Sequence, residues 1–212
     1  MAHRISTEFV ENLDCLIDMH CGGIDTCIEY TLVKYDDDEV GKKSLDLARL
    51  YGLKVLSVSP ARGYAGASVT ELALRKNIPI VIPMAGGADA SMDPATLERT
   101  TEGVLNILKH YGIVDGEIRR NPGQLVIGDR TLIRHNSGGL FVPCLGRSAL
   151  NTIVEKGTLL GRTISPYTME TMEEFRAPFD RTILIMFKTC HTRVYPGDYA
   201  FIFGDLGTRE AN

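Results

Sequence analysis

The chain has no tryptophan, no run of eighteen apolar residues and no excess of basic charge. The missing apolar run, together with the lack of an opening basic, apolar and cleavable segment, predicts neither a membrane span nor a secretory leader, which leaves the cytoplasm as the expected compartment. With 23 Lys plus Arg against 27 Asp plus Glu and a net charge of -4, the global field attracts neither nucleic-acid phosphates nor anionic lipid. The five cysteines are odd in number and never spaced as Cys-x-x-Cys, which excludes a complete disulfide framework and a local zinc knuckle and predicts free, buried thiols. Gly-x-Gly-x-x-Gly, Gly-x-x-x-x-Gly-Lys-Ser/Thr and His-Glu-x-x-His are all absent, so no local motif points to a nucleotide or to a helix-borne zinc pair.

What is present is the texture of a folded α/β protein. Its 212 residues suit one large domain or two small ones, and 44% hydrophobic with 24% charged residues is ordinary for a globular chain. Residues Leu13 to His20 read as a short buried strand closed by Gly22-Gly23, and Cys27 to Val33 as a second strand. The Asp36 to Glu39 cluster places negative charge at the start of a helix over Lys42 to Tyr51, which Gly52 stops. Lys54 to Val58 and Ile78 to Pro83 are further strands, with a helix over Val69 to Lys76 between them and Ser68 as its cap. Asp93-Pro94 opens a long helix whose face is expected to be Leu97, Thr101, Val104, Leu105, Leu108 and Tyr111. Between Gly116 and Pro122 the pattern changes to brief strand-like segments at Leu125, Thr131, Gly139, Thr152, Leu159, Thr182 and Tyr199. The reading is an α/β domain over 1–118 and a compact all-β domain over 119–212.

Chemistry concentrates where strands end in glycine. In Asp18-Met19-His20-Cys21-Gly22-Gly23 the two-residue period puts Asp18 and His20 on one face, at a strand end where α/β proteins gather ligands. An imidazole there can bind metal or move a proton, with a neighbouring carboxylate fixing its tautomer. Ile78 to Gly87 is a second apolar strand emptying into glycines, and Met84 reads as packing because a thioether has no acid or base function. The paired glycines there serve either a tight turn or close backbone approach. The loop Ser59 to Ser68 carries Arg62, a candidate clamp for a substrate carboxylate. Lys42 and Lys43 read as surface charge, His110 as a helix-end histidine, and His135 as a loop histidine with a candidate role near the site.

In combination, the run Leu16 to Gly23, Ile78 to Gly87, the helix Gly103 to Gly112, Gly138 to Pro143, Val154 to Gly161 and Arg176-Ala177-Pro178-Phe179-Asp180 resembles the succinylglutamate desuccinylase/aspartoacylase family, related to the zinc carboxypeptidases. The resemblance covers nearly the whole chain. It implies a zinc-carboxypeptidase-like mixed sheet with helices, followed by a small all-β barrel-sandwich domain resembling biotinyl and lipoyl barrels. It also implies a zinc-dependent amidohydrolase that splits an N-acyl amino acid or similar small carboxylate, with His20 as a zinc ligand and Asp18 and Arg62 as supporting or substrate-binding residues. Two departures accompany it. The family's upstream His-x-x-Glu ligands and Asn-Arg segment have no counterpart, so the chain reads as an N-terminally shortened member. Met84 stands where the family carries its general-base glutamate; Glu71 and Asp89 are the nearby carboxylates that could substitute. The alternative is a catalytically inactive or truncated member that keeps a small-molecule cleft. Homo-oligomerisation stays open, and a carrier-domain role is disfavoured because no lysine stands at the Arg176 to Asp180 turn.

Overall fold

The computed structural model describes residues 2–60, 68–88, 93–128 and 130–207. The chain opens with helical turns: α1 (Ala2–Arg4), a π-helical turn over Ile5–Phe9 and a 3-10 turn over Val10–Asn12. β1 (Leu16–Ile17) follows, then the long central strand β2 (Thr26–Lys34), α2 (Glu39–Tyr51), β3 (Val55–Ser59), α3 (Val69–Arg75), β4 (Ile80–Gly86) and α4 (Pro94–His110). The remainder is β5 (Leu125–Ile127), β6 (Thr131–Arg134), β7 (Gly139–Pro143), β8 (Ile153–Val154), β9 (Leu159–Ile164), β10 (Thr171–Arg176), β11 (Thr182–Lys188), β12 (Thr192–Val194) and β13 (Tyr199–Asp205).

The helices start and stop where side-chain chemistry directs. The carboxylates of Asp38 and Asp93 and the hydroxyl of Ser68 accept from the backbone N–H groups of Gly41, Thr96 and Glu71, satisfying donors that a first helical turn leaves open. Gly52 closes α2 at φ 89°, a left-handed conformation that a β-carbon resists.

Nine strands form a mixed sheet running β1-β4-β2-β11-β13-β6, with β3 on β2, β5 on β3 and β8 on β11. β1 lies parallel to β4, β2 antiparallel to β4, and β3 parallel to β2. A second, antiparallel sheet of four strands runs β10-β9-β7-β12. The hydrogen bonding of the larger sheet continues past residues 116–122: β5 extends β3, and β11 pairs with β2 through Met186, Phe187 and Lys188. Lys188 also forms an ion pair with Asp25 at that junction.

Each face of the sheet has its own core, because successive side chains of a strand point to opposite faces. Ile28, Tyr30, Leu32, Ile80 and Ile82 pack on one face with Val10 and Ala73, while Val33 and Val81 pack on the other with Leu47, Leu50, Tyr51 and Ile107. A third cluster, rich in phenylalanine, joins β7, β9, β10, β11 and β13.

Several expectations are corrected. The segment before His20 is a half-buried edge, with only Leu16 and Ile17 in strand and both only partly buried. The inward face of α4 is Thr96, Gly103, Asn106 and Ile107, whereas Leu97 is 64% exposed. Gly103 sits so close to Tyr51 that an added Cβ would meet the ring at 2.7 Å, and Asn106 bonds the Leu50 carbonyl and both backbone groups of Arg119. Small size and hydrogen bonding, together with the single fully buried apolar side chain of Ile107, select that face. The cysteines are free, but only Cys27 is buried, since the others lie on the edge segment and in turns. Burial pushes the Cys27 thiol up to about 11.

Candidate functional site

The extended backbone of β1 continues beyond its two ladder residues. Asp18 N–H donates to the Val81 carbonyl, His20 N–H donates to that of Pro83, and Ala85 N–H donates back to His20. His20 is thereby bridged in parallel to Met84, and Met84 lies opposite Tyr30 on β2. Residues in register on neighbouring strands share a face, so His20, Met84 and Tyr30 form a row across three strands. Met84 packs against the cluster that contains Tyr30. Its expected packing role is therefore seen directly, and no carboxylate stands between His20 and Tyr30 in the row.

Two glycines fix this end of the sheet. A Cβ on Gly22 would lie 2.1 Å from the Thr26 carbonyl oxygen; one on Gly87, at φ 89°, would lie 2.3 Å from that same oxygen and 2.8 Å from the Gly22 Cα. Gly22 and Gly87 therefore meet at the start of β2, where close backbone approach requires glycine, while Gly23 and Gly86 take the left-handed conformation at φ 87° and 94°.

Asp18 sits beside His20, with Oδ1 3.3 Å from Nε2, and both side chains reach solvent. Arg130 marks the other end of the row: it donates to the Tyr30 hydroxyl and its guanidinium carbon lies 5.5 Å from the ring centroid, within range of cation–π attraction. Sequence reading had no signal for Arg130, which lies one hundred residues from Tyr30 and has no motif around it. Arg62 and Asp89 lie outside the described residues. Glu71 is engaged by Arg75 one helical turn away. Lys42 is half-exposed and pairs with Asp37 and Glu39, as a surface lysine does.

His135 is not part of this site. It is 1% exposed, with Nδ1 3.0 Å from the Thr163 hydroxyl and its ring packed edge-on against Phe141 and Phe175. Nε2 is buried without a partner among the described residues. Desolvation there lowers the His135 pKa, so the neutral ring is the form the core accepts.

A resident metal requires at least three converging donors in a protein site of the zinc-hydrolase kind. Among the described residues no group of three His, Cys, Asp or Glu side chains comes together in that way. His20 with Asp18 against one ring nitrogen supplies an oriented imidazole, and that donor set does not fit a metal by itself.

The mixed sheet joined to an antiparallel β module is the fold of solved succinylglutamate desuccinylase/aspartoacylase family proteins. No family model matches the chain, and no curated protein matches it in sequence. Among solved structures, the ectoine utilization protein EutE (DoeB) from Ruegeria pomeroyi is similar at TM-score 0.81 in both an apo form (18% identity) and a product-bound form (19% identity). A succinylglutamate desuccinylase/aspartoacylase from Rhodobacter sphaeroides is similar at TM-score 0.77 with 19% identity. Each match covers 96% of this chain and 61–64% of the other, so the chain spans just under two thirds of the length of these proteins. Among the described residues no helix is long and apolar enough to cross a membrane.

Proposed function

We propose that the chain descends from the succinylglutamate desuccinylase/aspartoacylase lineage and binds a small N-acyl amino acid or similar carboxylate at the exposed His20 end of the His20–Met84–Tyr30 row, whose Tyr30 is buried, without itself hydrolysing the amide. The observation that carries this reading is Met84 in the middle of the row. General-base catalysis needs a proton acceptor within hydrogen-bond reach of the attacking water, and a thioether is only a weak acceptor with no titration near neutral pH. Arg130 offers a guanidinium at one end and His20 an imidazole steadied by Asp18 at the other. A carboxylate on the first and an amide carbonyl near the second is the pose these groups favour.

The second reading is a zinc-dependent amidohydrolase of the N-acyl amino acid deacylase type, supported by the shared fold. It requires metal ligands beyond His20 and a base other than Met84.

Calorimetric titration of the purified chain with N-acetyl-L-aspartate and N-succinyl-L-glutamate, with product analysis of the same samples, separates the two. Saturable binding that weakens in His20→Ala and Arg130→Ala, with no amine released, supports the binding reading. Amine release by the wild type establishes the second, and absence of any saturable binding sinks the first.

A further inference from the structure

β1 is an outer strand of the larger sheet, and beyond it no strand is paired among the described residues. Leu16, Asp18 and His20 turn their main-chain groups inward, donating N–H to the Pro79, Val81 and Pro83 carbonyls at 2.9, 3.0 and 2.9 Å. In an extended chain the main-chain groups of successive residues point to opposite sides. Those of Cys15, Ile17 and Met19 therefore point outward, away from β4, and no backbone hydrogen bond engages them among the described residues.

Such an edge is a template for another strand, and proteins commonly block it with lysine, proline, a bulge or a covering element. Residues 13–21 contain neither lysine nor proline, and the register of β1 on β4 is regular. Leu13 and Met19, toward the two ends of the segment, are 36% and 53% exposed.

The segment Leu13-Asp14-Cys15-Leu16-Ile17-Asp18-Met19-His20-Cys21 is complementary to itself when reversed. Antiparallel pairing sets outward-facing residues opposite one another. With Ile17 opposite Ile17 of a second copy, Cys15 meets Met19 and Leu13 meets Cys21. The odd-numbered positions, all apolar, then cover one another without a charge among them. At the even-numbered positions the same register sets Asp14 opposite His20 at both ends and Leu16 opposite Asp18. The nearest permitted shift in one direction sets Asp14 against Asp18, and in the other direction Asp18 against Asp18; like charges directly opposite destabilise a strand pair. Of these three registers only the centred one has no facing carboxylates.

We propose that the free edge of β1 pairs with the same edge of a second copy of this chain, about a two-fold axis at Ile17. The two larger sheets then run on into each other, every contact occurs twice, and Asp14 of each copy comes to the level of His20 in the other. The pairing does not depend on the ligand assigned to His20.

Sedimentation equilibrium of the full chain tests this. The wild type is expected to reach twice the chain mass, with a dissociation constant on the order of 10 µM or tighter. Met19→Lys puts an ammonium against the apolar Cys15 of the other copy at both ends and should weaken the dimer about tenfold or more. His20→Asp sets a carboxylate opposite Asp14 and should also weaken it, whereas His20→Asp combined with Asp14→His restores the facing pair and should recover it. Residue-resolved hydrogen exchange should slow at the Ile17 and Met19 amides as the concentration rises, with little change at Leu16 and Asp18, which already bond β4. Thermal melts of each variant report folding separately. The proposal is overturned by a monomer at every concentration up to about 200 µM, whatever other chain the edge accepts. A dimer that Met19→Lys leaves intact, a double variant that fails to recover it, or unchanged exchange at Ile17 and Met19 overturns it equally.

Discussion

The two faces of the larger sheet solve opposite problems at the same strand ends. One face carries a row in which His20 and Arg130 flank an apolar middle of Met84 and Tyr30. The other gathers carboxylates and cations around Glu29, where Arg99 pairs with Glu29 and Arg147 with Asp93. A single strand, β2, serves both, because Tyr30 and Glu29 are adjacent in sequence and point apart. What differs is the source of precision: the first face depends on backbone approach at glycine, the second on side-chain pairs drawn from across the chain.

That contrast can be broken from either side. The largest effect is expected from Gly87→Ala, which places a methyl group against the Thr26 carbonyl and Gly22 in a left-handed conformation. A loss of about 3 kcal/mol or more follows from the strain and clash together, read from the urea midpoint, with ligand binding on the His20 face lost first. Glu29→Ala attacks the other face by leaving Asn151 Nδ2 without its acceptor and Arg99 with only the Thr96 hydroxyl. Because the Arg99 side chain is 45% exposed and can reach water, the expected cost is about 2 kcal/mol, below that of a fully buried broken pair. Chemical denaturation should show Glu29→Gln recovering part of that loss. Met84→Leu nearly conserves volume and should cost about 1 kcal/mol or less without altering binding of N-acetyl-L-aspartate, which would confirm that Met84 acts through shape alone.

The smallest and most gradual effect lies in neither face but in the phenylalanine cluster around His135. Desolvation lowers its pKa in the folded chain, so the unfolded chain binds more protons as the pH falls below the ordinary value near 6.5. Stability from this group is complete above that pH and declines through the acid side toward the lowered folded pKa. Glu173, Asp198 and Asp25 oppose the shift and Lys188 adds to it. Thermal melts between about pH 7.5 and 5 should fall for the wild type, and His135→Phe should flatten that part of the slope.

The same contrast explains what could be read from the sequence. Ser68 and Asp93 announced helix starts because a cap acts within one turn; the Asp36 to Glu39 cluster announced α2 through its charge, with the start placed three residues late, and Gly52 announced its stop. Interior strands such as β2 and β11 were legible from their apolar runs. Both strands that escaped notice, β10 and β12, are the edges of the four-stranded sheet: Glu174, Arg176 and Arg193 face water, a bulge between Thr171 and Glu173 interrupts the alternation of β10, and β12 has only three residues. The pairing of Asp18 with His20 was visible because strand period alone brings them together, as was the absence of a carboxylate at Met84. Arg130 and the ion pairs around Glu29 were invisible, because tertiary folding alone joins residues so far apart in the chain.

The central claim is that the row around Met84 binds without hydrolysing. Its most direct test is to incubate the purified chain with excess zinc, remove unbound metal by gel filtration, and assay the same fraction for metal content and for amine release from N-acetyl-L-aspartate. The account predicts well under one zinc per chain and no amine released above the buffer rate. One zinc per chain with amine release that disappears in His20→Ala would contradict it.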